Sequence, residues 1–211
     1  SDDECYKIDP DNVGICLIIN QRDFYEEEDP ELQIYLTYNT KKLEKRDGTD
    51  IDRDSLECTF KKFGFRIVIK ENCTHDRLLD VIDKTSKKFS KKDSCFIVCI
   101  LSHGIKDSVF GVNSIPVEIS DIENKLYGKF CPNLLGKPKI LIIQSCQGEP
   151  CQNVPEKSDL VVCMSTIRGY ASIRNKEKGS WFIQALCKCL IEEAPKKHFV
   201  DILPSVIRKV T

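Results

Sequence analysis

The chain has 211 residues, 41% hydrophobic and 31% charged, with 32 basic and 33 acidic groups giving a formal net charge of −1. That length supports one good core or at most two small domains, and the near-neutral balance gives no sign of the basic excess, clustered on one face, that nucleic acid requires. No apolar run approaches the roughly 18 residues of a membrane span, and the N-terminus has no secretory apolar stretch. Neither nucleic acid nor membrane is therefore expected as a partner, and the expected location is cytoplasmic.

The opening "SDDECYKIDPDN" is polar and lacks methionine, as at the edge of a processed or trimmed chain. Next comes an apolar run at 13–19 (VGICLII), followed by further runs at 65–69 (FRIVI), 95–101 (CFIVCIL), 139–144 (KILIIQ) and 160–165 (LVVCMS). These runs are nearly continuous rather than alternating, which predicts central strands covered on both faces. A shorter piece at 109–112 reads as a small hairpin arm.

Helical patterns lie between the strands. In "DRDSLECTFKKFGF", Leu56, Phe60 and Phe63 share a face and Gly64 sits where a C-terminal glycine belongs. "THDRLLDVIDKTSKKF" places Leu78, Ile82 and Phe89 on one side and gathers lysines in its last turns, which suits the helix dipole. "EISDIENKLYG" predicts a shorter helix. "GSWFIQALCKCLIEEA" carries a stripe of Phe182, Ala185, Leu186 and Cys189 that ends before Pro195. The last segment, "FVDILPSVIRKV", reads as helix that Pro204 should bend or restart. Strands alternating with helices of this length predict an α/β fold with a mostly parallel sheet and helices on both faces. Ligand sites on such sheets gather at the C-terminal strand ends.

Twelve cysteines occur, most of them inside hydrophobic runs, where a free thiol packs as a small apolar group. Cys187 and Cys189 form C-x-C rather than C-x-x-C, and the three histidines are His75, His103 and His198. Neither a zinc site nor a redox pair is indicated. Two strand ends carry chemistry instead. One apolar run ends in Ser102-His103-Gly104 and another in Ser145-Cys146. If the strands are parallel, both ends open on one side of the sheet, and a thiol and an imidazole face a common gap.

The quintet Gln144-Ser145-Cys146-Gln147-Gly148, with His103 lying 43 positions before the cysteine, resembles the local signature of caspases, the cysteine proteases that cut after aspartate. The resemblance extends from "GICLIIN" through "KRDGTDIDRDSLECTFKKFGF", "CFIVCILSHG" and "GKPKILIIQSC" to "SIRNKEKGSWFIQALC", with the motifs in the family's order. It implies the caspase-like three-layer fold over 1–211, with 1–150 resembling a large subunit and 151–211 a small one.

The resemblance also implies roles for particular residues. Cys146 would be the nucleophile, since a thiolate attacks an amide carbonyl well. His103 would protonate the leaving amine, oriented by the backbone carbonyl of Glu44. The N–H of Gly104, with that of Cys146, would receive the oxyanion. Arg46, Gln144 and Arg174 would line the pocket for the substrate aspartate, and Ser172 and Ile173 would pair with an extended substrate strand. The implied function is aspartate-specific endopeptidase activity in apoptotic or immune signalling, with no metal or organic cofactor. The alternative is a caspase-like regulator that modulates an active relative without cutting.

Implied partners are proteins with exposed aspartate sites, a homodimer or a heterodimer with another caspase, and an adaptor platform or inhibitor protein. Gln147, where many relatives carry arginine, points to the apical branch. The family's long aspartate-containing linker, cut when the zymogen is activated, has only "EPCQNVPEK" in its place between Gly148 and Ser158. The final interface strand is not recognisable, so the C-terminal portion reads as incomplete. Either the protein lacks these parts or the sequence covers only some of them.

Overall fold

The computed structural model describes residues 6–37, 43–127, 131–145, 159–165 and 174–210. Five strands form the central sheet: β1 (Gly14–Asn20), β2 (Arg66–Glu71), β3 (Cys95–Leu101), β7 (Lys139–Gln144) and β8 (Leu160–Met164), in the order β2-β1-β3-β7-β8. All neighbouring pairs are parallel. Three short strands, β4 (Gly104–Ile105), β5 (Ser108–Phe110) and β6 (Pro116–Glu118), make an antiparallel arm beyond β3. A two-strand hairpin joins β9 (Arg174–Asn175) to β10 (Gly179–Ser180). The helices are α1 (Thr49–Lys62), α2 (His75–Ser86), α3 (Ile119–Leu126), α4 (Trp181–Glu193) and α5 (Phe199–Val210).

The continuous apolar strands follow from burial on both faces. Side chains alternate across a strand, so Ile15, Leu17 and Ile19 of β1 join a core with Leu78 and Ile82 of α2 and Ile122 and Leu126 of α3. Cys16 and Ile18 face the other way, into a core with Leu56 and Phe60 of α1, Leu186 and Leu190 of α4, and Ile202 of α5. The result is a three-layer α/β fold. Polar residues on both faces would leave these helices without a seat.

Local signals set the helix ends. After α1, Gly64 takes a positive φ of 87°, and the amides of Gly64 and Phe65 bond to the carbonyls of Lys61 and Phe60 at 3.0 and 3.1 Å. This is the paired closure that a left-handed glycine permits. Ser180 caps α4, its side chain accepting from the Ile183 amide. The apolar face of α4 is wider than the expected stripe and also buries Ile183, Cys187 and Leu190. Pro204 does not interrupt α5, which runs unbroken through it. The carbonyl that Pro204 leaves without a helical donor is that of Val200, a residue 53% exposed.

Nine described cysteines are free thiols, all buried except Cys58. Burial pushes Cys95, Cys163 and Cys187 up to about 12, so these thiols stay neutral and unreactive at neutral pH. Among the described residues no group of three or more His, Cys, Asp or Glu side chains is placed to hold a metal ion. No helix among them is long and apolar enough to cross a membrane.

Candidate active site

The parallel sheet sets the site's location. Leu101 at the end of β3 lies beside Gln144 at the end of β7, and the Ser102 amide bonds to the Gln144 carbonyl at 3.1 Å. The two continuations, one to His103 and one to Ser145, therefore leave the sheet side by side. The Ser165 hydroxyl bridges the backbone of Ser145, accepting from its N–H and donating to its carbonyl, both at 3.1 Å. Cys146, the next residue, lies outside the described residues, as do Ser172 and Ile173.

His103 is partly buried at this edge. Its Nε2 lies 2.7 Å from the carbonyl oxygen of Glu44. A carbonyl can only accept, so Nε2 carries the proton and Nδ1 keeps the lone pair. Phe24 meets the ring edge-on, with centroids 4.8 Å apart. Burial pushes His103 below the usual imidazole range. The Glu44 carbonyl works against that shift, while the positive fields of Arg46 and Arg174 reinforce it. Both guanidinium groups are thus close enough to act on this ring. Gly104 opens β4 in register with Val109.

Arg46 is 1% exposed, an unusual state for an arginine outside an ion pair of good geometry. Its Nη1 donates to the Gln21 carbonyl at 2.9 Å and to Thr49 Oγ1 at 2.7 Å. Thr49 in turn donates to Asn20 Oδ1 at 2.8 Å. Gln21 is held by Cys73, through its Nε2 to the carbonyl and its Oε1 from the amide. These partners all follow the end of β1 or open α1, so the guanidinium is fixed at the C-terminal edge of the sheet.

Arg174 is brought to the same place by a backbone contact, its Nε donating to the Asp47 carbonyl at 2.8 Å. Two positive groups are thereby anchored to adjacent residues, 46 and 47. Gln144 is also 1% exposed, and neither Nε2 nor Oε1 of its side chain has a hydrogen-bond partner among the described residues. A buried amide left so costs about 1–3 kcal/mol. An anion that meets the guanidinium groups and also accepts from Gln144 Nε2 would relieve the donor's share of that cost.

The structure therefore brings together His103, Arg46, Arg174 and Gln144 from four separate segments. A model of the Caspase domain matches residues 13–211. The chain belongs to the caspase family. It is 38% identical over 213 residues to a "Caspase-8" of Drosophila pseudoobscura pseudoobscura, which covers 95% of this chain and 41% of that protein. It is 35% identical over 224 residues to the "Caspase-3" of Mus musculus and 36% identical to that of Bos taurus, each covering 99% of this chain and 76% of the relative. The chain thus spans less than half the length of the first relative and about three quarters of the others. With both names among its relatives, the caspase family is the level at which they identify this chain, and the narrower apical branch is not distinguished.

Several residues that shape this caspase site carry no sequence signal of their own. Gln21, Asp52, Ser165 and, through Asn20, Thr49 are polar residues with partners 20 or more positions away in the chain. Gly48 is more legible, standing in a "DGT" turn. It takes a positive φ of 86°, and a Cβ there would lie 2.5 Å from the Asn175 carbonyl oxygen. Gly48→Ala is expected to lower stability by at least about 1–2 kcal/mol from the left-handed backbone alone. The added methyl also forces the Arg174 hairpin outward. Thermal denaturation beside peptide turnover checks this: a full-strength enzyme with an unchanged melting temperature would contradict it.

Proposed function

We propose that this caspase-family protein is a cysteine endopeptidase that cuts after aspartate in protein substrates, in cell-death or immune signalling. The observation that carries the proposal is two anchored guanidinium groups and a buried amide, without a partner among the described residues, gathered at the strand ends beside a histidine whose tautomer is fixed. A surface salt bridge needs none of that burial. A carboxylate stripped of water does, because fixed charged donors must replace its hydration.

In the proposed reaction the Cys146 thiol gives its proton to Nδ1 of the His103 ring, and the thiolate so formed attacks the main-chain carbonyl of the substrate aspartate, forming a C–S bond and an oxyanion. The backbone N–H groups of Gly104 and Cys146 receive that oxyanion. The C–N bond then breaks as the His103 ring gives a proton to the departing amine, leaving a thioester. Water, losing a proton to the same ring, hydrolyses the thioester and restores the thiolate. Ser172 and Ile173 pair with the substrate backbone in this scheme, and 1–211 acts as one catalytic domain. Gln147 supports an assignment to the apical branch, whose partners would be an adaptor platform and a second caspase chain.

The test is turnover of two short peptides that differ only in ending with aspartate or asparagine. The aspartyl peptide is expected to be cut at least about a hundredfold faster, since a pocket built for a carboxylate rejects a group that brings an N–H to its donors. Equal rates would end the arginine-pocket reading, and cleavage surviving Cys146→Ala would end the thiol mechanism. No turnover combined with stimulation of a related active protease would favour a non-cleaving regulator.

A further inference from the structure

Asp52 stands in the first turn of α1 with no solvent exposure. An acid in that position commonly serves only the helix dipole, but this carboxylate faces a different element. Its two oxygens accept the backbone N–H of Ser180 at 2.9 and 3.1 Å. Oδ1 also accepts from Gln184 Nε2 at 3.0 Å. Ser180 lies opposite Arg174 in the β9–β10 hairpin, so the carboxylate grips the strand that pairs with the arginine's own.

The fit leaves no slack. A Cβ on Gly179 would lie 2.4 Å from Asp52 Oδ1 and 2.9 Å from Gln184 Nε2. On the other strand of the hairpin, the Asn175 backbone packs on Gly48 and the Arg174 Nε bonds to the Asp47 carbonyl. The seam between the start of α1 and the hairpin is therefore tied in several places, including an exposed ion pair of Asp47 with Lys176 at 3.8 Å, and Asp52 supplies the buried negative charge. Burial pushes its carboxyl above the usual range, opposed by the bonds from Gln184 and Ser180 and then by the field of Arg46.

Two guanidinium groups held on neighbouring segments repel one another. A buried carboxylate that holds one of their loops and lies in the field of the other offsets part of that cost. We propose that Asp52 is a positioning residue that holds the Arg174 hairpin against the Arg46 loop and so sets the affinity for the acidic substrate residue without touching it. This rests on the aspartate-pocket reading above. Its effect should fall on substrate binding and spare the thiol–imidazole chemistry.

Asp52→Asn, which keeps the shape and removes the charge, tests it on the full chain. The KM for the aspartyl peptide is expected to rise roughly tenfold while kcat stays within about threefold. Amide hydrogen exchange over 174–180 should quicken by at least about tenfold, with the β3 and β7 amides unchanged. Alkylation of Cys146 by iodoacetamide, located by mass spectrometry, should keep its wild-type rate, because that reagent has no carboxylate to place. Gln184→Ala, which removes one tie and leaves the charge, should move KM and hairpin exchange in the same direction by a smaller factor, roughly twofold to threefold. It carries the test if Asp52→Asn does not fold.

An unchanged KM in a wild-type background that still prefers aspartate overturns the role of Asp52 and leaves the pocket standing. An equal loss of kcat, alkylation rate and protection throughout the sheet overturns it too, by showing a general folding role. A wild-type enzyme indifferent to aspartate overturns the pocket reading, and this inference falls with it.

Discussion

Replacing His103 with alanine is expected to lower turnover of the aspartyl peptide by about 10²–10⁴-fold, the usual worth of a positioned general acid–base group. KM should change little, since the ring is not among the groups assigned to the acidic side chain. The ring's charge state gives a second reading that does not depend on turnover. Burial, reinforced by the two arginines, holds His103 below the ordinary histidine value, which lies near 6.5. At neutral pH the free protein therefore carries a mostly neutral ring, protonated on Nε2 toward Glu44.

The sign of the pH effect follows directly. Between about pH 6.5 and the lowered value, the unfolded chain binds a proton that the folded chain refuses, so stability falls as pH drops through that window. Above it the contribution is constant. With three histidines in the chain, proton NMR of the ring Cε1–H signals resolves the titration. Arg174→Gln removes one of the two positive fields and should move the His103 midpoint upward. An unmoved midpoint would mean that Arg174 and the ring are not neighbours in solution.

What the sequence revealed of this fold divides along physical lines. The strands Cys95–Leu101 and Lys139–Gln144 are legible to the residue, because helices cover both their faces and the apolar run stops where the sheet stops. At the sheet edge the reading falters. The run at 65–69 stops short of β2, which continues through Lys70 and Glu71 where solvent accepts their side chains. The arm at 109–112 is one piece of a three-stranded unit whose members are two or three residues long, too short to show a period. Pro204 marks no break, since the carbonyl it leaves without an N–H donor belongs to the exposed Val200.

The site divides in the same way. His103 and Gln144 sit at strand ends, where hydrophobicity gives way to function within two residues, and that transition is visible in one dimension. The burial of Arg46 is not. Nothing in "KRDGT" itself distinguishes a buried guanidinium from a solvated one: Thr49 is its last residue, but the Gln21 carbonyl, 25 positions away, arrives through the topology of β1 and α1. The grip of Asp52 on Ser180 spans 128 positions, and its local context reads only as a helix start. Such contacts are set by tertiary assembly and leave no periodic trace.

Arg46→Ala should consequently strike two properties at once. Truncation leaves the Gln21 carbonyl and the Thr49 hydroxyl without the donor at 2.9 and 2.7 Å. It also removes the positive field that eases the buried charge of Asp52. A buried acceptor left without its donor costs about 1–3 kcal/mol, so the urea midpoint should fall with little change in slope. On the functional side, kcat/KM for the aspartyl peptide should drop by about 10³-fold or more, while the asparaginyl peptide, which never used the charge, loses far less. Lysine at this position should recover part of the stability and little of the discrimination. One ammonium cannot reproduce a planar fork that meets a substrate carboxylate with one edge while bonding the β1 end with the other. Should Arg46→Ala lose stability yet keep its preference for aspartate over asparagine, Arg46 would be a structural residue alone, and the acidic pocket would have to be built on Arg174 and Gln144.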